Sequence, residues 1–307
     1  MTMSLEYTWS MMRSMILEHP LISGLFVFWI GCCIGSFLNV CIYRVPNGMS
    51  LLYPPSHCPH CDHRIRWYEN IPLFSFLGLR GQCSGCGKPI SPRYFYVELM
   101  TGLLYYGLFA VLIYGRNGRF DLIPLYAVAA AVAICSAFTD CEYRVIPNSF
   151  NLLLLLTGLV NASWGGLEML FAGESGKQFL HSGDVLSPLL LSAASCAAVG
   201  GCLWFFALLS RMVFHRECLG MGDVKYMAAI AACFYYIPAI LILLAACVLG
   251  IVTVGIYRLF DKRRSGRVFP FGPFLSGAVL LWMFLGWLTE GLFMKFYPGM
   301  AEILFHR

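Results

Sequence analysis

Two aspartates stand where an apolar chain has least reason to keep a charge. Asp140 closes the apolar run from Pro124 to Phe138, and Asp223 opens another inside Gly220-Met221-Gly222-Asp223-Val224-Lys225. Holding an ionised carboxylate at a bilayer boundary is costly, so an acid kept there marks a functional site by default. Two carboxyls brought within a few ångström share one proton. The ionised member can then draw a proton from water while the neutral member polarises a scissile carbonyl. Each residue alone also has a plainer reading, Asp140 as a solvated loop residue or turn cap and Asp223 as a helix N-cap. Their setting favours the pair. Gly220 and Gly222 flank Asp223 with residues lacking Cβ, so a backbone or an extended substrate can come close. Asp261, among Lys262, Arg263 and Arg264, reads instead as solvated loop. Lys225, two positions along the helix, turns away from Asp223 and reads as a snorkelling interfacial lysine.

A second set of residues could do chemistry of another kind. Four of the fourteen cysteines form Cys58-Pro59-His60-Cys61 and Cys83-Ser84-Gly85-Cys86, with 21 residues between the pairs. Each pair is a tight knuckle that aims two thiolates at one ion, and two knuckles complete a tetrahedral zinc shell. The competing reading is two disulfides, which a reducing compartment disfavours. His57, His60 and His63 lie close enough to replace a cysteine, but four thiolates suffice. The remaining cysteines fall mostly in apolar runs, where Cys behaves as a small buried hydrophobe.

These groups must be positioned by membrane helices. The 307 residues are 59% hydrophobic and only 12% charged, against about 25% charged in a soluble domain. The expected fold is therefore an all-α polytopic membrane protein with about eight transmembrane helices, near 21–43, 97–115, 122–139, 149–165, 186–210, 223–237, 239–257 and 273–293. The sixth is short, and Pro238 separates it from the seventh. The first run is read as a retained signal-anchor helix, since residues 1–20 show no small-residue cleavage site. Three parts follow: residues 1–43 with the first helix, a small zinc-knuckle cytoplasmic domain over 44–96 between helices 1 and 2, and a transmembrane core carrying both aspartates over 97–307.

Orientation comes from the basic residues. Loops 44–96, 140–148, 211–222 with the start of the sixth helix, and 258–272 hold fifteen Lys and Arg; the opposite set holds six. The positive-inside rule places the first set in the cytoplasm and both termini outside. Asp140 and Asp223 then lie at one depth, the cytoplasmic boundary. Nucleic acid is excluded as a partner, because no basic stripe interleaves with aromatics outside the spans.

The ordered motifs carry a resemblance. Gly35-Ser36-Phe37-Leu38-Asn39-Val40 and Tyr43-Arg44 precede the first cysteine pair. Ile65-Arg66-Trp67-Tyr68-Glu69-Asn70-Ile71-Pro72, Leu79-Arg80-Gly81, Pro89-Ile90-Ser91-Pro92-Arg93-Tyr94 and Val97-Glu98-Leu99 surround the second. Gly220-Met221-Gly222-Asp223-Val224-Lys225 and Pro270-Phe271-Gly272-Pro273-Phe274 come late. Taken in order, these residues make the chain resemble the bacterial type IV prepilin peptidases (leader peptidase/N-methyltransferase), members of the GxGD aspartic proteases.

The resemblance implies cleavage of the basic leader of type IV prepilins or pseudopilins after a glycine, at the cytoplasmic face of the bacterial inner membrane. It implies N-methylation of the new terminus by S-adenosylmethionine. Asp140 and Asp223 match the catalytic pair, and Cys58, Cys61, Cys83 and Cys86 match a tetracysteine site for structural Zn²⁺. Glu69 and Arg93 fall in the segments expected to serve methyl transfer and to bind its cofactor. Two departures stand out: Thr139 replaces an aliphatic residue before the first aspartate, and Asn148 stands where the family often has an aspartate. The partners implied are prepilins or pseudopilins of pilus assembly, type II secretion or DNA uptake, together with membrane lipid. The other readings are a proton-coupled transporter, a GxGD intramembrane protease without methyl transfer, and a zinc-dependent membrane module without catalysis.

Overall fold

The computed structural model describes residues 11, 14–115, 119, 122–171, 187–215, 219–260 and 269–296. Both ends of the chain and the basic stretch 261–268 lie outside these residues, and so do the expectations that rest on them. Among the described residues, eight long apolar helices follow one another in the expected order. They are α1 (Pro20–Arg44), α2 (Arg93–Ala110, continued by a π-helical turn Val111–Gly115), α3 (Ile123–Tyr143) and α4 (Asn148–Phe171). Then come α5 (Ser187–Phe214), α6 (Met221–Phe234), α7 (Tyr236–Phe260) and α8 (Gly272–Phe296). Six of these, α1, α2, α3, α5, α7 and α8, are long and apolar enough to cross a membrane. The fold is that of an all-α, multi-pass membrane protein.

α6 is the exception in length. Its 14 residues rise about 21 Å, short of the ~30 Å hydrocarbon core. A short helix is tolerated here because it is enclosed by protein: Tyr226, Met227, Ile230, Ala231 and Ala232 are all buried. The break after α6 falls at Tyr235 (φ 64°, ψ 176°), three residues before the expected Pro238. Pro238 sits in the first turn of α7, where a missing N–H costs no helical hydrogen bond.

The chain divides into two compact units, one of Met1–Val40 with Ser50–Phe120 and the other of Cys41–Met49 with Asp121–Arg307. In the first unit, α1 and α2 cross through small residues. A Cβ on Gly31 would lie 2.9 Å from Gly102 Cα, and one on Gly35 2.8 Å from Glu98 Cα. Glycines four apart on one helix face let backbones approach closely, which is how helices associate in lipid where both surfaces are equally apolar. Buried Glu98 accepts the Leu73 N–H at 2.9 Å and tethers the loop domain to α2. Stacking of Trp29 on Phe74, with ring centroids 5.1 Å apart, adds a second attachment.

In the second unit, α6 lies against α4, α5 and α8. A Cβ on Gly158 of α4 would meet the Ala232 and Cys233 backbone at 2.8 Å. Cys233 Sγ donates to Leu154 O at 3.2 Å, Ser192 Oγ to Ala232 O at 2.7 Å, and Tyr226 and Ser276 hydroxyls lie 3.3 Å apart. Interhelical hydrogen bonds of this kind hold polar groups that lipid cannot satisfy. They fix the helix that begins with Asp223.

Candidate active site and metal centre

α3 extends past its expected end, so Asp140 lies in its last turn, buried. The helix stops at Arg144, whose left-handed backbone (φ 56°) returns its N–H to Asp140 O at 3.0 Å. Asp140 Oδ2 accepts the backbone N–H of Gly272, the first residue of α8, at 2.8 Å. Asp223 occupies the third position of α6, after the extended N-cap Gly220 (φ −70°, ψ 141°). It is therefore not itself the N-cap. A Cβ on Gly220 would stand 3.1 Å from Asp223 Oδ2, whereas one on Gly222 would meet Ile146 at an ordinary 3.5 Å. The close approach that these glycines permit is thus made partly by the chain's own carboxyl. The carboxyls of Asp140 and Asp223 are near enough to act on each other electrostatically. Residues 83 positions apart thus stand at the ends of α3 and α6, within electrostatic reach of each other.

Thr139, the unusual neighbour of Asp140, turns its hydroxyl back to Cys135 O at 2.9 Å, so a polar side chain is satisfied within its own helix. Lys225 does more than snorkel: its Nζ donates to Asn148 Oδ1 at 3.0 Å, joining the first turn of α6 to the start of α4. Helical spacing does turn it from Asp223, but sequence alone gave no sign of that partner 77 positions away.

The two cysteine knuckles repeat one local design. Cys58 N–H donates to His63 O at 2.9 Å and Asp62 N–H to Cys58 O at 3.0 Å; Cys83 N–H donates to Lys88 O at 2.9 Å and Gly87 N–H to Cys83 O at 2.8 Å. The fourth residue after each leading cysteine takes a left-handed backbone, Asp62 at φ 54° and Gly87 at φ 69°, which Asp tolerates and Gly adopts freely. The four sulfurs lie within 4.8 Å of one another, with Cys58–Cys86 and Cys61–Cys83 each at 3.9 Å. All four are free thiols; a disulfide needs about 2.05 Å. Two of the six edges are 3.9 Å and all lie within 4.8 Å, near the ~3.8 Å edge of a tetrahedron with zinc–thiolate bonds of ~2.3 Å. The donor set therefore fits a metal ion. Backbone N–H groups of Cys86 and Gly85 point at Cys83 and bring its thiol down to about 6, toward the thiolate a metal requires.

Beside the first knuckle is an open cleft of about 510 Å³, bordered by His63, Arg66, Tyr68, Glu69, Ser75 and Ser84 among others. Glu69 Oε2 accepts the Arg66 N–H at 2.8 Å and lies 3.3 Å from His63 Nε2, which also meets Ser84 Oγ at 3.2 Å. The Arg66 N–H, followed by Ser84 and His63, holds the Glu69 carboxyl at about 2. It stays ionised throughout the neutral range. His63 is thus committed to Glu69 and Ser84, and the histidines are not needed as metal ligands. Arg93 does not border the cleft; it begins α2 with its guanidinium 5.5 Å over the Tyr94 ring.

The model of the bacterial peptidase A24 N-terminal domain matches residues 29–112, and that of the type IV leader peptidase family matches residues 127–255. The first span holds the four cysteines and Glu69, the second both aspartates. Proteins named prepilin leader peptidase/N-methyltransferase are similar over most of the chain. The one from Dichelobacter nodosus is 33% identical over 90% of this chain and 94% of its own length, and that from Legionella pneumophila 30% over 90% and 96%. The one from Myxococcus xanthus is 37% identical over 79% of this chain, which spans 65% of that protein's length. No solved structure matches. A multi-pass, all-α membrane protein is the class that the fold defines, and the chain belongs to the type IV leader peptidase family.

Proposed function

We propose that this chain removes the leader of type IV prepilins or pseudopilins, with Asp140 and Asp223 as its catalytic residues, and then methylates the new N-terminus. The observation that carries the reading is that two acids at the ends of α3 and α6 lie within electrostatic reach of each other, each touched by a glycine backbone. The ionised member takes a proton from water as the water oxygen attacks the carbonyl carbon of the scissile bond, while the neutral member donates its proton to the carbonyl oxygen. The first acid then passes its proton to the leaving nitrogen as the second takes back a hydroxyl proton, and collapse of the tetrahedral species releases the amine and the carboxyl terminus. The basic loops favour a cytoplasmic site in the inner membrane, where a basic leader would meet the pair just before its apolar helix enters the bilayer. In this reading the cysteine loop, with α1 and α2, belongs to the first compact unit, and both aspartates belong to the second.

The four thiolates of Cys58, Cys61, Cys83 and Cys86 hold zinc as a structural ion. S-adenosylmethionine, when bound, supplies an electrophilic sulfonium methyl group. The cleft beside the knuckle suits such a donor, because Glu69 is a fixed anion able to meet a ribose diol or a cationic group, and the volume is that of a small-molecule site. Arg93, outside the cleft, remains the candidate for a contact with the acceptor. Leader cleavage by Asp140→Asn and Asp223→Asn, measured on a prepilin in detergent, tests the central reading: both lose cleavage while retaining the parental elution profile. Parental rates in either variant would exclude the pair. Transfer of label from S-adenosylmethionine to the trimmed product tests the second activity.

A further inference from the structure

We infer that Gly272 is a positioning residue for the peptidase reaction: its backbone amide fixes Asp140, and its missing side chain leaves room for that carboxyl. Gly272 lies beyond the 127–255 span matched by the family model. The inference rests on Asp140 being catalytic.

The argument begins with the orphan donors at a helix start. The first N–H groups of an α-helix have no partner within the helix. α8 begins at Gly272, preceded by Phe271 and followed by Pro273. Phe271 has no side-chain acceptor to act as a cap, and Pro273 has no N–H to satisfy. Phe274 and Leu275 both donate to Phe271 O at 3.1 Å. The Gly272 N–H is left, and its partner is Asp140 Oδ2, 132 positions away, at 2.8 Å. Asp140 thus caps α8 from another helix, and the cap in turn orients the carboxyl. With Oδ2 engaged, the second oxygen is left for water.

Sterics make glycine necessary at this position. A Cβ on Gly272 would lie 2.7 Å from Asp140 Oδ2 and 3.0 Å from both Asp140 Cβ and Cγ. Contacts this short force the carboxyl to move. Asp140 is buried in the last turn of α3, so it has little space to turn without losing the amide or its alignment with Asp223. Five positions further along α8, Gly277 would place a Cβ with nothing within 4 Å. The same substitution on the same helix therefore separates the contact from any general effect of adding a methyl group.

Full-length Gly272→Ala and Gly277→Ala, purified in detergent, are compared in prepilin cleavage. Gly272→Ala is expected to lower kcat by about 100-fold or more, the scale of a 1 Å misplacement of a reacting group, with KM unchanged; Gly277→Ala keeps both. Equal kcat in Gly272→Ala and the parent, or an equal loss in Gly277→Ala, overturns the inference. A second measurement does not depend on activity. Gly272→Ala should lower the melting temperature of the parent but not of Asp140→Ala, where the opposing carboxyl is gone. An identical shift in both backgrounds overturns it. Full activity of Asp140→Asn would instead sink the catalytic reading of Asp140, leaving the thermal cycle to judge the contact.

Discussion

Replacing Cys83 by serine should unfold the loop between α1 and α2 while sparing the helices around it. From residue 50 to 92 only Cys58, Pro72 and Leu73 are buried. Burying an apolar side chain fully is worth about 1.5–3 kcal/mol, whereas ordering each backbone residue costs about 1–2 kcal/mol. Three buried side chains cannot order such a loop. A structural zinc site contributes about 10–16 kcal/mol in small metal-folded domains, more than the three buried side chains together. The sulfur edges of 3.9 Å are already set for an ion. Two assays check this. Elemental analysis should find about one metal per chain in the parent and much less in Cys83→Ser. Limited trypsin treatment should then cut the variant at Arg64, Arg66 or Arg80 while the parent resists. Methyl transfer should fall with the loop, and leader cleavage should persist if the second unit works without it. Full metal content together with parental trypsin resistance in Cys83→Ser would refute the reasoning, as would a metal-free parent that is equally resistant.

Three further outcomes follow from contacts already described. Gly158→Ala pushes a Cβ against the Ala232 and Cys233 backbone at 2.8 Å; overpacking of about 1–3 kcal/mol should lower the melting temperature and slow cleavage, because α6 carries Asp223, and a parental melting temperature would show that the helices simply separate. Glu98→Ala strands the Leu73 N–H at a cost of about 1–3 kcal/mol, visible as greater protease sensitivity of the loop than of α3–α8. Glu69→Gln is a pH experiment. Its carboxyl is held at about 2 in the folded chain, below the ~4.3 of an unfolded glutamate, so its stabilisation is fully present above about 4.3 and is lost as pH falls toward 2. The stability gap between parent and variant should be constant from pH 5 to 8 and close only in acid; a gap that changes near neutrality would mean another group is responsible.

Long apolar runs were enough to place the eight helices seen among the described residues, because hydrophobic length is summed over many residues and tolerates local error. The boundaries failed where one residue decides. Tyr235, not Pro238, breaks the chain, since proline is harmless in a first helical turn and a left-handed tyrosine leaves no mark in composition. The cysteine pairs were legible for a similar reason: a CxxC knuckle is a local object whose geometry is carried by its own hydrogen bonds. Partners across the fold were not. Lys225 with Asn148 and Gly272 with Asp140 join residues 77 and 132 positions apart, and nothing in either local sequence specifies the other. Pro270-Phe271-Gly272-Pro273 was visible as a motif without a task. Its task depends on an unsatisfied amide at a helix start, and that amide acquires meaning only when α3 delivers a carboxyl to it. The proposed dyad is therefore better described as three helix ends than as two aspartates: α3 supplies one acid, α6 the other, and α8 the donor that holds the first in place.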